Sequence, residues 1–216
     1  MGCDIHFKIE RRIKDIKKPI TYYNYNEETK TAIPQYADDE NWHCVDYNVD
    51  ADYGDRNYYM FAHLAGVRAW DNEENYPEPK GLPEDISDYT KRSCCLLYNT
   101  ELSDELVEHD WNNRLITKAD YEKWAKLYPN LVCEYTQELK HENKRYKLMY
   151  DIDYHSHSWV TREEFEEIFN TAYLREIDGE KKFIGNYSYY LTLLETLRAH
   201  EVNGLYETRL VFWFDN

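Results

Sequence analysis

Two short segments of the sequence carry carboxylate and imidazole side chains at alternating positions. The first is Asp4-Ile5-His6, and the second runs from Tyr150 to Thr161. In the second segment four ionisable residues follow one another two positions apart, namely Asp151, Asp153, His155 and His157. Because side chains two positions apart share one face of an extended strand, we expect them to form a row. Thr161 and Glu164 then predict a capping box, so the row leads to a helix N-terminus, where anions are favoured.

These residue types can bind a metal ion. Imidazole nitrogens and carboxylates hold zinc, manganese or iron and can leave one position open for water. Such a metal lowers the pKa of its water and polarises a phosphoryl or carbonyl oxygen. Asp-x-His and His-x-His patterns are common by chance, so the prediction depends on finding both in one chain. If the two segments meet, the sequence predicts a divalent metal, zinc or manganese, bound by Asp4, His6, His155 and His157.

A metal-free site uses the same residues. His6 and His157 would act as base and acid across a phosphodiester, since histidine titrates in the useful pH range, and Asp4 completes the predicted catalytic set. The predicted substrate-binding residues are Arg56, Asn57, Arg68 and Ser158. Each candidate also has a structural alternative. The histidines can be satisfied core residues, the acids can face solvent or form turns, and the arginines can form surface ion pairs.

Composition narrows the class of protein. The chain has 216 residues, 42% hydrophobic and 31% charged, which indicates a globular protein with a real core. It contains no apolar run of the roughly 18 residues that a membrane span needs and no apolar leader, so we expect a cytoplasmic protein. The net charge of −16 argues against broad nucleic-acid binding, but it permits a small anionic substrate or a basic partner protein. Five cysteines without paired spacing indicate reduced thiols.

The periodicity of the chain predicts an α+β fold. Residues 3–10 alternate apolar and polar side chains, and the last strand, within 206–214, is apolar on both faces, as in a central strand. We expect a small, mostly antiparallel sheet formed by both chain termini and covered by several helices. Helices are predicted in six segments, within 55–66, 83–93, 103–111, 117–128, 161–172 and 187–200.

We predict one domain over residues 1–216, with a Tyr-rich insertion at about 20–54 and a variable helical region at about 95–148. Within the second stretch, a strand over 131–139 and a solvated helix over 138–147 remain open alternatives.

Several motifs of the sequence resemble a family of bacteriophage and prophage proteins that open with Met-Gly-Cys-Asp-Ile-His. The further motifs are Arg56–Tyr58 with Phe61–Arg68, Gly81–Asp85, His155–Trp159 and Val211–Asp215. The resemblance spans the chain and implies a phage-encoded accessory protein of the host cytoplasm, but it implies no particular reaction.

Taken together, these features predict a phage hydrolase that acts on a phosphodiester or nucleotide-like substrate, such as a host defence signal, through a His/Asp site. The alternative is a non-catalytic acidic protein that binds and inhibits a host protein or sequesters a small nucleotide. The oligomeric state is left open.

Overall fold

The main sheet of the protein joins both ends of the chain. The computed structural model describes residues 2–14, 23–26, 31–34, 41–45, 56–69, 76–99, 114–139, 144–201 and 204–215. Four antiparallel strands form the main sheet in the spatial order β4-β1-β11-β8. They are β1 (Ile5–Ile13), β4 (His43–Cys44), β8 (Tyr154–Thr161) and β11 (Tyr206–Asp215). The predicted pairing of the two termini is confirmed.

The sequence of β11 explains its central position. β1 pairs with it from Ile5↔Phe214 to Ile13↔Tyr206, and β8 pairs along its other edge. Both edges of β11 are therefore paired, and because layers also cover both faces of the sheet, its side chains are buried from Thr208 to Phe214.

Helices cover one face of this sheet. The described residues contain five α-helices: α1 (Tyr58–Ala65), α2 (Asp88–Cys94), α3 (Lys118–Leu127), α4 (Arg162–Tyr173) and α5 (Ser188–His200). α1, α4 and α5 pack on the face formed by Ile5, Phe7 and Ile9 of β1 and by Leu210, Phe212 and Phe214 of β11. This is the main hydrophobic core. The α+β prediction is confirmed.

The other face of the sheet meets a second, three-stranded sheet. That sheet has the order β5-β7-β6, from β5 (Cys95–Asn99), β6 (Val132–Leu139) and β7 (Lys144–Tyr150). Trp213 packs there with Cys94, Cys95, Leu97 and Leu148. The region predicted as helical at about 95–148 therefore contains three strands as well as α3 and a 3₁₀ turn at Pro129–Leu131. Of the two alternatives for this stretch, the strand is confirmed, because Val132–Leu139 pairs with β7.

Two hairpins complete the described structure. β2 (Tyr23–Asn26) pairs with β3 (Thr31–Pro34) inside the Tyr-rich stretch, and β9 (Leu174–Ile177) pairs with β10 (Glu180–Phe183). No helix in the described ranges is long and apolar enough to cross a membrane.

The helix caps confirm some predictions and correct others. Thr117 and Thr161 cap α3 and α4, and Thr161 forms the complete capping box with Glu164. The predicted N-cap of α1, Asp55, lies outside the described residues, and the cap that the structure shows is Asn57. Likewise α2 is capped by Ser87 rather than beginning near Pro83, because the Ser87 hydroxyl accepts a hydrogen bond from the Thr90 N–H. The helix predicted within 103–111 lies outside the described part of the chain.

Candidate functional site

The predicted row of ionisable residues does not form on β8. Asp151 and Asp153 lie in a turn before the strand, where the Asp151 carboxylate accepts a hydrogen bond from the Asp153 N–H at 3.1 Å. Further along, Phe212 pairs with Ser158 but Phe214 pairs with His155, so two residues of β8 oppose Trp213. Ser156 has a φ of 51° at this β-bulge.

The bulge separates the two histidines of the motif. The His155 ring stacks on Phe214 at 6.0 Å, whereas the His157 ring stacks on Trp213 at 6.4 Å. Adjacent residues of β11 point to opposite faces of the sheet, so His155 faces the helices and His157 faces the second sheet. The spacing of two would put both on one face, and the extra residue at the bulge overturns that prediction.

His157 is enclosed between aromatic rings. It lies 5.2 Å from the Tyr150 ring, and its buried Nε2 has no hydrogen-bond partner within the described portion of the protein. Burial, assisted by repulsion from His155, lowers the pKa of His157 from 6.5 to about 4. The imidazole is therefore neutral near pH 7, which does not fit a general acid.

His6 lies at the partly exposed end of the sheet and pairs with an acid that the sequence prediction did not include. Its Nε2 is 3.2 Å from Asp215 Oδ2, and the two side chains are 22% and 30% exposed. An ionised carboxylate only accepts hydrogen bonds, so the paired Nε2 carries the proton. The His6 ring also stacks on Trp213 and lies 5.0 Å from the Tyr154 ring.

Asp4 holds an arginine beside this pair. Arg56 donates from Nε to Asp4 Oδ1 at 2.8 Å and from Nη2 to Asp4 Oδ2 at 3.3 Å. Gly2 lies directly against the guanidinium, since a Cβ on Gly2 would stand only 2.3 Å from Arg56 Nη1. The predicted residues Asp4, His6 and Arg56 are therefore brought together, and Gly2 provides the space for the arginine.

Arg68 approaches the same end of the chain at Cys3. Burial raises the pKa of the Cys3 thiol, although the Arg68 guanidinium beside it favours the thiolate. Arg68 also lies over the Tyr58 ring at 5.8 Å, and it adopts a φ of 58° just after α1. Because burial outweighs the arginine, Cys3 remains a protonated core residue.

Tyr154 connects the site to a buried ion pair. Its hydroxyl accepts a hydrogen bond from Arg114 Nη1 at 3.2 Å, and Arg114 Nη2 pairs with Asp151. Arg114 Nε also donates to the Cys95 carbonyl at 2.9 Å. Burial raises the pKa of Tyr154, so the phenol stays protonated near neutral pH and keeps a hydroxyl proton beside the site.

Two predicted substrate-binding residues lie elsewhere. The Asn57 side chain caps α1 and donates to the Tyr173 hydroxyl at 2.7 Å, which gives it a structural role. Ser158 is buried on the helix-covered face, where its Oγ accepts a hydrogen bond from the Lys80 N–H at 3.1 Å.

The four predicted metal ligands are not arranged around one centre. Trp213 of the central strand lies between His6 on β1 and His157 on β8, and His155 is on the opposite face. Metal–ligand bonds are only about 2 Å long, so an intervening indole prevents a shared ion. The described residues contain no group of three or more His, Cys, Asp or Glu side chains suited to a metal.

Sequence reasoning missed Asp215 and Tyr154. The signal for Asp215 was its place at the end of the last strand, because antiparallel pairing of the two termini puts it opposite Asp4. Tyr154 is the β8 neighbour of Asp215 in the same register. No protein-family model, curated protein or solved structure matches the chain.

Proposed function

We propose that this protein is a metal-free hydrolase of a phosphodiester or nucleotide-like substrate, with His6 as its acid–base group. The observation that carries the proposal is the partly exposed His6–Asp215 pair, with Arg56 held beside it by Asp4. A carboxylate that fixes the tautomer of an imidazole is the arrangement that makes histidine an effective base. The phage context inferred from the motifs remains part of the proposal.

Asp215 orients His6 for proton transfer. With the proton held on Nε2, the lone pair is on Nδ1, which can accept a proton from a water molecule. The Tyr154 and Trp213 rings restrict the rotation of the imidazole. The carboxylate also stabilises the imidazolium that forms when the water is deprotonated.

Arg56 supplies charge for an anionic substrate. Its guanidinium is fixed by Asp4 through Nε and Nη2, and its side chain is 58% exposed, so a phosphoryl oxygen can reach it. A planar guanidinium suits phosphate oxygens, and a pre-positioned one costs little reorganisation when charge develops.

The proposed reaction is a single displacement at phosphorus. His6 Nδ1 takes a proton from water as the water oxygen bonds to phosphorus, and the bond to the leaving oxygen breaks. The imidazolium then returns that proton to the leaving alkoxide, which balances the step. His157 takes no part, because it is neutral and separated from His6 by Trp213.

The test measures hydrolysis of two kinds of substrate in the presence of a chelator. Hydrolysis of bis(4-nitrophenyl) phosphate is monitored by absorbance, and hydrolysis of a panel of cyclic dinucleotides is monitored by ³¹P NMR. His6→Gln should reduce turnover about 100-fold or more, which is the usual contribution of general acid–base catalysis. His43→Gln is the matched control, because His43 is exposed on β4. Equal turnover in wild type and His6→Gln would refute the proposal.

The competing function is binding without turnover. The net charge of −16 supports a basic partner protein, and such binding would be distributed over many surface acids. If the wild type hydrolyses no substrate and captures a host protein equally well with His6→Gln, the binder is the better description.

A further inference from the structure

A groove of about 650 Å³ lies on the helix-covered side of the molecule, between α1 and α4. Leu64, Val160 and Ile168 give it an apolar floor, and Tyr76–Glu78 with Lys80 form one wall. Its volume falls in the range of small-molecule sites. It is distinct from the His6 site, because Val160 belongs to the helix-side core whereas His6 packs on Trp213, which faces the second sheet.

Aromatic rings form one end of the groove. The Tyr59 and His63 rings are 4.5 Å apart, and the Tyr76 ring meets His63 edge-on at 5.4 Å. The geometry of these rings is fixed from several sides. Tyr59 donates a hydrogen bond to the Ala172 carbonyl, and His63 Nδ1 contacts the Tyr59 carbonyl at 2.9 Å. Such a preformed aromatic wall can attract a cation.

The positive charges of the groove are already engaged. Lys80 Nζ lies 2.8 Å and 3.0 Å from the two oxygens of Glu164. Arg175 donates to the carbonyls of Thr171 and Leu174 and to the Tyr59 hydroxyl. An anion entering the groove would have to displace Lys80 from its carboxylate.

Two exposed carboxylates of the lining, Glu78 and Glu167, have no ion-pair or hydrogen-bond partner among the residues the structure describes. The lining contains three glutamates against Lys80 and Arg175, so the formal balance is one negative charge. Charge complementarity therefore favours a positively charged occupant.

We propose that this groove binds a small organic cation with a flat apolar body, such as an aryl amidine or guanidine. The apolar body lies on the floor and against the aromatic rings, and the cationic group meets Glu78 and Glu167. This site is independent of the proposed hydrolysis, so it is tested by its own binding data.

The test is an NMR titration of ¹⁵N-labelled full-length protein with 4-aminobenzamidine. A ligand of this size should bind with a Kd of about 1 mM. The expected shifts are saturable and centred on the amides of Lys80, Ser158 and Thr171. Two isosteres serve as matched ligands. 4-Aminobenzamide should bind about tenfold more weakly, and 4-aminobenzoate should not bind. Absence of saturable shifts, or equal binding of the amide or the carboxylate, would overturn the proposal.

Variants locate the site. Thr171 is exposed at the groove, so Thr171→Arg adds a positive charge without disturbing the core and should abolish binding of the amidine. Thr171→Gln adds comparable length without charge and should retain it. Glu167→Gln should weaken binding about tenfold, whereas Glu122→Gln on α3 should leave it unchanged. Unchanged binding in Thr171→Arg, or equal loss in Thr171→Gln, would contradict the charge-based assignment.

Discussion

The carboxylate of Asp215 bridges the main chain of Asp4 and the side chain of His6. Its Oδ1 accepts a hydrogen bond from the Asp4 N–H at 2.9 Å, and its Oδ2 lies 3.2 Å from His6 Nε2. Asp215 N–H in turn donates to the Asp4 carbonyl at 3.1 Å. The candidate site therefore forms only when the first and last strands are paired, which couples its chemistry to the completed sheet.

Asp215→Asn should remove the basic lone pair from His6 Nδ1 and leave the fold intact. The amide oxygen can still accept from the Asp4 N–H, but the amide NH₂ would face His6 and favour the tautomer with its proton on Nδ1. We expect turnover to fall about 100-fold, as in His6→Gln, because Asp215 acts only through the His6 imidazole. Steady-state kinetics beside circular dichroism would measure both effects. Turnover within twofold of wild type would exclude Asp215 as the orienting group.

Gly2→Ala should act through Arg56. The added Cβ would overlap the guanidinium, which is the flexible end of a side chain, so the arginine moves while the strand stays. We expect the affinity for inorganic phosphate to fall about tenfold, as for loss of one charge-assisted contact, with little change in the thermal unfolding midpoint. Calorimetric titration would measure this affinity.

Arg56→Ala provides the control for that variant. If Gly2 acts only through the arginine, the double variant should bind phosphate no more weakly than Arg56→Ala alone. Additive losses would show that Gly2 has a separate role.

Thr161→Ala should destabilise the protein by about 1 kcal/mol, the usual contribution of an N-cap side chain. The variant removes the hydroxyl that accepts the Glu164 N–H at 3.1 Å and breaks half of the capping box. Urea unfolding would measure the change. Thr192→Ala is the matched control, because Thr192 is exposed within α5 and its hydroxyl donates to the Ser188 carbonyl one turn back instead of capping a helix. A larger loss in the control than in Thr161→Ala would contradict the cap assignment.

Local signals in the sequence were sufficient for much of the fold. The alternation of residues 3–10 and the apolar run before Asp215 predicted the paired termini, and Thr161 predicted the start of α4. The start of α1 was not decided locally, since Asp55 and Asn57 are both good caps. Asn57 is the cap because its amide also reaches the Tyr173 hydroxyl and the Asn186 carbonyl, which are distant in sequence.

The candidate site was predicted only in part, because some of its geometry also depends on residues distant in sequence. Asp4, His6 and Arg56 do meet, because β1 and the start of α1 adjoin the same end of the sheet. The separation of His155 from His157 depends on the register between β8 and β11, where two residues oppose Trp213. A bulge of this kind is set by pairing with another strand, so a spacing rule within one segment does not detect it.

The Glu10–Arg209 ion pair should be costly to break from one side. These residues are cross-strand neighbours on β1 and β11, they are 0% and 3% exposed, and Arg209 Nε lies 2.8 Å from Glu10 Oε2. Arg209→Met should cost about 4 kcal/mol, because it leaves the buried Glu10 carboxylate with the Ser87 N–H but without a cation, and it also removes the pair with Asp85.

Neutralising the remaining acid should restore part of that loss. Adding Glu10→Gln to Arg209→Met should recover about 2 kcal/mol, since an amide costs less to bury than a charge. Urea unfolding of the two variants would measure the difference. If the double variant were less stable than the single one, the glutamate would not be carrying an uncompensated charge.

His157 should make the folded protein sensitive to acid. Its pKa is lowered from 6.5 to about 4 by burial and by His155, so between these values the unfolded chain binds more protons than the folded one. Its stabilising contribution is therefore complete above pH 6.5 and is lost as the pH falls towards 4. The shift corresponds to about 3 kcal/mol of stability.

In His157→Phe, which keeps an aromatic ring between Tyr150 and Trp213, this part of the pH dependence should disappear. Urea unfolding from pH 7 to 4 would measure it, with His43→Phe as the exposed control. Parallel pH profiles for wild type and His157→Phe would mean that the buried imidazole is not the group responsible.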